Sequence, residues 1–325
     1  MAKEQIYPYA VARIRVLEKN LLSNQVLNQM TEEREISGCF RTLAEHGYDY
    51  PEEPNSIGIE KMLSAETEKT YSIIRDLVPT EKFIDVFLYK NDYHNLKVLI
   101  KSEVSGINGE HFLIDGGTVP VSKLKKSLLD RNYSDLPVIM GKAIAEAFSS
   151  YSKTQSGRMI DTILDKAAFR QMKEGACESK NQFVIDYVSK MCDLTNLKSF
   201  LRIKKMNKDF TAFSSVFVEG GILSLNYFLN AFSMDNPINS FKATAYGWVC
   251  EEGMHKGFTE FEKLCDNYMM NYVKDAKFKA LTLEPLVAYL YAKESEIKTV
   301  RIITSGKLNH IDSKIIKERV REAYA

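Results

Sequence analysis

The chain has no surplus of charge of either sign: 44 lysines and arginines stand against 43 aspartates and glutamates in 325 residues. A formal charge of +1 lacks the overall basicity with which a nucleic-acid-binding protein gathers phosphates. Cysteine is sparse and unpatterned. The five, at 39, 177, 192, 250 and 265, form no Cys-x-x-Cys pair and no metal-ligand spacing, and an odd number cannot all pair within one chain; a reducing cytosol is the expected setting. No apolar run reaches the roughly 18 residues of a membrane span. The longest apolar region, Phe210 to Phe232, is broken by Glu219, Gly220, Gly221, Asn226 and Asn230. The start, Met1-Ala2-Lys3-Glu4-Gln5-Ile6, lacks the apolar stretch of a signal peptide.

The motifs of catalysis are missing as well. Gly141-Lys142 is followed by Ala143 and Gly306-Lys307 by Leu308, and neither has the upstream glycine of a phosphate-cradling P-loop. The histidines at 46, 94, 111, 255 and 310 include no His-Glu-x-x-His and no i, i+4 pair, which leaves zinc unsupported. There is no Gly-x-Ser-x-Gly elbow and no Asp-Asp-x-x-Asp run. The acid pairs Glu52-Glu53 and Glu251-Glu252 neighbour proline or glycine and read as solvated turns. No catalytic, cofactor-binding or metal-binding residue is assigned, and an all-helical enzyme is disfavoured because a site needs convergent reactive groups.

What the chain does have is an internal repeat. Asp92-Tyr93-His94-Asn95-Leu96-Lys97 and Asp193-Leu194-Thr195-Asn196-Leu197-Lys198 share the frame Asp-x-x-Asn-Leu-Lys at an offset of 101 residues. A weaker third copy follows 100 residues on, with Glu296-Ile297-Lys298 in place of Asn-Leu-Lys. Upstream, the period of 101 pairs Ile59, Ile160 and Phe261, then the acids Glu60, Asp161 and Glu262, then Met62, Ile163 and Leu264. A connector occurs twice, as Leu113-Ile114-Asp115-Gly116-Gly117 and as Phe217-Val218-Glu219-Gly220-Gly221. A Gly-Gly pair suits a break between helical units, because glycine tolerates positive φ. Three domain-sized copies are expected, at 1–108, 109–212 and 213–325.

Periodicity predicts helix almost throughout. Val11, Ile14, Leu17 and Leu21 recur at spacings of three and four, as do Ile36, Phe40 and Leu43. Pro79-Thr80-Glu81 opens a helix carrying Phe83, Ile84, Phe87 and Leu88; Asn91-Asp92 interrupts it; Leu96, Leu99 and Ile100 resume the stripe. Asp92 and Asp193 are thus expected as N-caps of a second helix, with Asn95 and Asn196 at N3, each cap worth about 1 kcal/mol. The repeated motif then reads as a helix-helix corner with a solvated lysine, Lys97 or Lys198, beside a buried leucine. Lys298 beside Ile297 completes the set. Thr282-Leu283-Glu284-Pro285 opens the matching helix of the third copy, with proline in the first turn. Glu110 to Ile114 is the one short strand candidate. Lys198, Arg202, Lys204, Lys205 and Lys208 make a basic stretch, and Glu251, Glu252, Glu260, Glu262 and Asp266 an acidic one. Both read as exposed helix faces that could also steer docking onto charged partners or lie near lipid head groups.

Three segments carry a family resemblance. The opening Tyr7-Pro8-Tyr9-Ala10-Val11-Ala12-Arg13-Ile14-Arg15-Val16-Leu17-Glu18, ending in Leu21-Leu22, resembles the start of the C subunit of V-type (A-type) ATP synthases, a relative of the d subunit of vacuolar ATPases. The stretch Phe87 to Lys101 is similar to that family's central signature, and Ile302-Ile303-Thr304-Ser305-Gly306-Lys307-Leu308-Asn309 to its C-terminal end. The resemblance implies an all-α fold of three similar domains in a pseudo-threefold funnel. It also implies a non-catalytic rotor adaptor on the cytoplasmic face of a membrane, with central-stalk subunits and the membrane rotor ring as partners. It transfers no site residues. The rival reading is a helical-repeat scaffold, its three copies stacked in an open row around a protein or peptide.

Overall fold

The computed structural model describes residues 7–79, 82–234 and 236–325, and the side chains of all of these but Met254 and His255. Thr80 and Glu81, expected to open a helix, lie outside the described residues, as does the segment 1–6. Helix is the only regular structure among the described residues. The Glu110–Ile114 strand candidate is instead a 3-10 turn over Glu110–Phe112. Its alternation is too short to recruit a partner strand, and an isolated strand leaves its backbone unpaired.

The helices run in chain order as α1 (Pro8–Leu17), α2 (Asn24–Glu32), α3 (Ile36–Glu45), α4 (Ser56–Leu77) and α5 (Phe83–Ser105). Next come α6 (Val121–Leu129), α7 (Val138–Thr154), α8 (Gly157–Glu178) and α9 (Gln182–Lys205). Then follow α10 (Phe210–Val216), α11 (Leu225–Phe232), α12 (Ile238–Phe241), α13 (Gly247–Lys256), α14 (Phe258–Lys274), α15 (Glu284–Leu308) and α16 (Ser313–Arg319). The repeat is visible in this order: α4, α8 and α14 carry Ile59, Ile160 and Phe261, all buried, and each precedes a long helix, α5, α9 or α15. Side-chain caps start many of them. Ser23, Asn55, Asn181 and Ser224 accept backbone N–H groups of Val26, Gly58, Val184 and Tyr227, satisfying donors that the first turn leaves free. Helix α15 opens with proline in its first turn, as the sequence predicts.

The chain forms two compact units, one of residues 80–237 and one that joins 1–79 to 238–325. In the first, Tyr93, Leu96 and Ile100 of α5 share a core with Leu124 and Leu128 of α6, Met140 and Ile144 of α7, and Ile160 and Leu164 of α8. In the second, Ile297, Val300 and Ile303 of α15 share a core with Leu27 and Met30 of α2, Phe40 and Leu43 of α3, and Ile59 and Leu63 of α4. The two arrangements match. A long helix rests on the three helices that follow a connector, and in the second case the long helix comes from the far end of the chain. Matching ion pairs mark the match: Lys101 of α5 meets Asp161 of α8, and Arg301 of α15 meets Glu60 of α4.

Candidate functional site

The repeated motif is not a corner. Helices α5 and α9 run unbroken through Asp92 and Asp193, which lie near their middles and are fully buried. The N-cap expectation is therefore corrected. Aspartate and asparagine disfavour helix interiors because their side chains compete for backbone groups, so a local reading places them at an end. Here they bind backbone of a different segment.

That segment is the connector. The Asp92 carboxylate accepts the N–H groups of Thr118 (3.1 Å) and Val119 (3.0 Å) and the Thr118 hydroxyl (2.6 Å). One turn along, Asn95 accepts the Ile114 N–H (2.9 Å) and donates its amide to the Ile114 carbonyl (2.8 Å). The second copy repeats this geometry. Asp193 accepts the N–H groups of Ile222 and Leu223, both at 3.0 Å, and Asn196 exchanges hydrogen bonds with both polar groups of Val218, at 2.9 and 2.8 Å. The asparagine thus pairs with one residue as a neighbouring strand would, and the aspartate holds the backbone a few residues on. The two repeated motifs are the two halves of one clasp.

The glycine pairs follow from it. Gly116 and Gly220 sit at φ +85° and +124°, where a side chain is strained. Gly117 and Gly221 serve a different need: a β-carbon there would fall 2.1 Å from the Asp92 Oδ1 and 1.9 Å from the Asp193 Oδ1. Burial pushes the Asp92 carboxyl above its ordinary value, against the hydrogen bonds from Thr118 and Val119 that lower it. Leu96 and Leu197 are buried beside the clasps, and Lys97 reaches across to Asp165 on α8. Lys198 is half-buried, and Lys298, exposed, pairs with Asp266.

A third clasp is chemically different and falls on the weaker third copy of the motif, where Glu296 stands in for asparagine. On α15, Lys293 and Glu296 stand where α5 has Asp92 and Asn95. Glu296 accepts the Leu22 N–H (2.6 Å) and the Tyr48 hydroxyl (2.7 Å). Leu22 precedes the N-cap of α2, just as Val119 and Leu223 each lie two residues before the first residue of α6 and α11. Asn20 occupies the place of Gly117 and Gly221, two residues earlier. With a side chain there, an aspartate could not approach as closely, and a longer acid one turn on does its work. Lys293, buried, bridges Glu296 (2.7 Å) and Glu66 of α4 (2.8 Å) and lies 4.3 Å from the centre of the Tyr48 ring. Burial and Glu296 push the Tyr48 hydroxyl well up, keeping it a donor.

The N-terminal motif is structural too. Arg15 pairs with Glu18 at 2.8 Å and donates to the carbonyls of Ala276 (2.8 Å), Lys277 (3.0 Å) and Lys279 (2.8 Å). It thereby caps the 3-10 turn over Asp275–Phe278 that leads towards α15. Tyr324 donates its hydroxyl to the same Glu18. Elsewhere chemistry is sparse. Among the described residues no group of three His, Cys, Asp or Glu could hold a metal ion. His94 meets the Phe112 carbonyl (2.9 Å) and His46 the Thr42 carbonyl (2.9 Å). Glu251 and Glu252, expected in a turn, lie within α13 and pair with Lys242 and Lys256.

The clasps and the Arg15 contacts fasten helices and connectors to one another. Residues 10–319 match the ATP synthase (C/AC39) subunit family. The chain belongs to that family. As a C/AC39 subunit it is a non-catalytic part of a rotary ATPase. It is 24% identical over 317 residues to the C subunit of the V-type sodium ATPase of Enterococcus hirae, covering 96% of this chain and 97% of that one. It is 25% identical over 341 residues to the C subunit of the A-type ATP synthase of Methanocaldococcus jannaschii, covering 96% and 85%. The corresponding protein of Thermococcus gammatolerans is 23% identical over 337 residues, covering 98% and 91%. Among the described residues of this C/AC39 subunit no helix is long and apolar enough to cross a membrane.

Proposed function

We propose that this C/AC39 subunit is the central-rotor adaptor of a V/A-type ATPase, joining the central stalk to the membrane rotor ring and passing torque between them. The observation that carries the reading is the match to one rotary-ATPase subunit family along residues 10–319. In this reading the three copies, at 1–108, 109–212 and 213–325, surround a pseudo-threefold axis as a funnel. Three units joined head to tail close into a ring when each step is near 120°. The stalk end enters the hollow, apolar and basic residues of one rim rest on the ring, and the protein lies on the cytoplasmic face of the membrane.

Torque transmission calls for stiffness, and the clasps supply it. A buried helix that hydrogen-bonds a connector at four or five points cannot slide along it without orphaning those groups, at about 1–3 kcal/mol each. Each docking contact would bury on the order of 1,000 Å² or more, or be weaker and helped by simultaneous engagement of the others. The test is to recover the tagged chain from native membranes and identify what accompanies it by mass spectrometry. Stalk and ring subunits are expected, and they should be lost when exposed rim residues are changed to alanine. Recovery of soluble proteins with no ATPase component would overturn the adaptor role and favour a helical scaffold.

A further inference from the structure

The third clasp differs from the other two in a way that its holding task does not require. Glu296 alone secures Leu22. Lys293 touches no connector backbone; its partners are Glu296, the face of the Tyr48 ring and, on α4, Glu66. The question is why a buried cation stands at the position where α5 and α9 carry aspartate.

The repeat supplies the answer. With a period of 101, Glu66 of α4 corresponds to Ala167 of α8, which lies in the apolar core beneath α5. The seating is equivalent, since α4 holds α15 through Glu60–Arg301 as α8 holds α5 through Asp161–Lys101. Two platforms of one design, α4 and α8, thus stand open to three long helices of similar length, the situation in which repeat proteins misassemble or exchange elements between copies. Glu66 and Lys293 separate the correct pairing from the wrong ones. Helix α5 or α9 seated on α4 would set Asp92 or Asp193 against Glu66. Helix α15 seated on α8 would bury Lys293 against Ala167 with Glu296 of its own helix as its one remaining acid partner, the second acid being lost. Two acids buried against each other repel with no cation between them, whereas the correct pair is closed on every side: Glu66 also meets Lys69 at 3.2 Å, and Glu296 meets Tyr48.

We propose that Glu66 and Lys293 form a pairing key, which assigns the last long helix to the first helical set and rejects α5 and α9, whether of the same chain or of a second copy. The key acts by penalising wrong partners more than by stabilising the right one. Buried ion pairs are often neutral to replacement by apolar side chains of similar volume, so stability and pairing fidelity come apart.

The experiment uses the full chain carrying Glu66→Leu and Lys293→Met together, with Glu296 left to hold Leu22 and Tyr48 as Asp92 holds its connector, refolded from urea over a range of protein concentrations and sized by chromatography with light scattering. The monomer that forms should unfold at a urea midpoint at or above the unmodified protein's. The monomer fraction at the highest concentration should fall roughly threefold, with dimers and larger species taking up the difference. Glu66→Gln alone keeps the side-chain shape and leaves Lys293 paired with Glu296; it should shift the partition in the same direction. An unmodified monomer fraction in both variants overturns the key. A lowered midpoint without oligomers overturns it as well, since that is the signature of an ordinary stabilising pair.

Discussion

Asp92 and Gly117 are fitted to each other: a single β-carbon on the glycine would stand 2.1 Å from the Asp92 carboxylate oxygen. The neighbouring Gly116 faces open space and is chosen for its φ of +85°. The two glycines of the connector should therefore respond differently to one methyl group. Gly116→Ala should cost about 1 kcal/mol, for a left-handed backbone alone. Gly117→Ala must push the carboxylate off its two N–H partners and should cost roughly 2–4 kcal/mol. Urea denaturation of the two variants measures the difference, and equal costs would argue against the clasp geometry. Gly220 and Gly221 should rank the same way.

Asp92→Asn keeps the shape but gives up one acceptor, and should destabilise by about 1–3 kcal/mol. Its pH dependence carries a sign. Because burial raises the folded carboxyl above its ordinary value of 3.8, the folded state holds the proton more tightly than the unfolded chain. The contribution of Asp92 to stability is full below the unfolded value and declines as pH rises to the raised folded value. The advantage of the natural protein over Asp92→Asn should accordingly shrink across that window and then level off. Denaturation of both proteins from about pH 4 to 7 reads this, and an advantage that widens with pH would contradict the direction.

Thiol chemistry should single out Cys177. It is exposed, whereas burial pushes Cys39 up to about 11 and both Cys192 and Cys250 up to about 12, and Cys265 is buried. A thiol so shifted holds almost no thiolate near pH 8. Iodoacetamide on the folded protein should modify one cysteine quickly, and Cys177→Ala should abolish that phase. Mass spectrometry of the labelled peptides identifies the site. Rapid labelling of Cys192 would mean that the second connector opens, since its thiol reaches the Glu219 carbonyl.

Arg15→Lys keeps the charge but cannot hold Glu18 and three carbonyls at once, a task suited to the planar fork of arginine. It should cost about 1–2 kcal/mol, and Arg15→Ala about 2–3 kcal/mol, since the group is only partly exposed. Hydrogen exchange should quicken in the turn Asp275–Phe278 and at the start of α15 in both. Exchange unchanged there would mean that the carbonyl cap contributes nothing.

Much of this architecture is written in local pattern. The helix of Ile36, Phe40 and Leu43, the proline-led start of α15 and the buried triplet Ile59, Ile160 and Phe261 all follow from spacing alone. Asp92 and Asp193 mislead because helix propensity is a local quantity, and their partners lie 26 to 30 residues on. A signal was nonetheless present. The motif Asp-x-x-Asn and the Gly-Gly connector occur in the same two copies and are both absent from the third, as two halves of one contact must be. Glu296 is legible as the stand-in for asparagine in the weaker third copy, but its partner is not, since that is the unremarkable backbone of Leu22.

The hold of α15 on Leu22 has a consequence for biosynthesis. Residues 80–237 form a unit from one continuous stretch and can settle as soon as they are made. The helices α2, α3 and α4 cannot: the core they share with Ile297, Val300 and Ile303 is complete only when nearly the whole chain exists. At about 5–20 residues per second, that leaves the first-made apolar surface waiting on the order of ten to fifty seconds for its cover. Helices α2 to α4, made before the central unit, therefore finish folding after it, and the interval before α15 arrives is when their apolar surface most needs a chaperone.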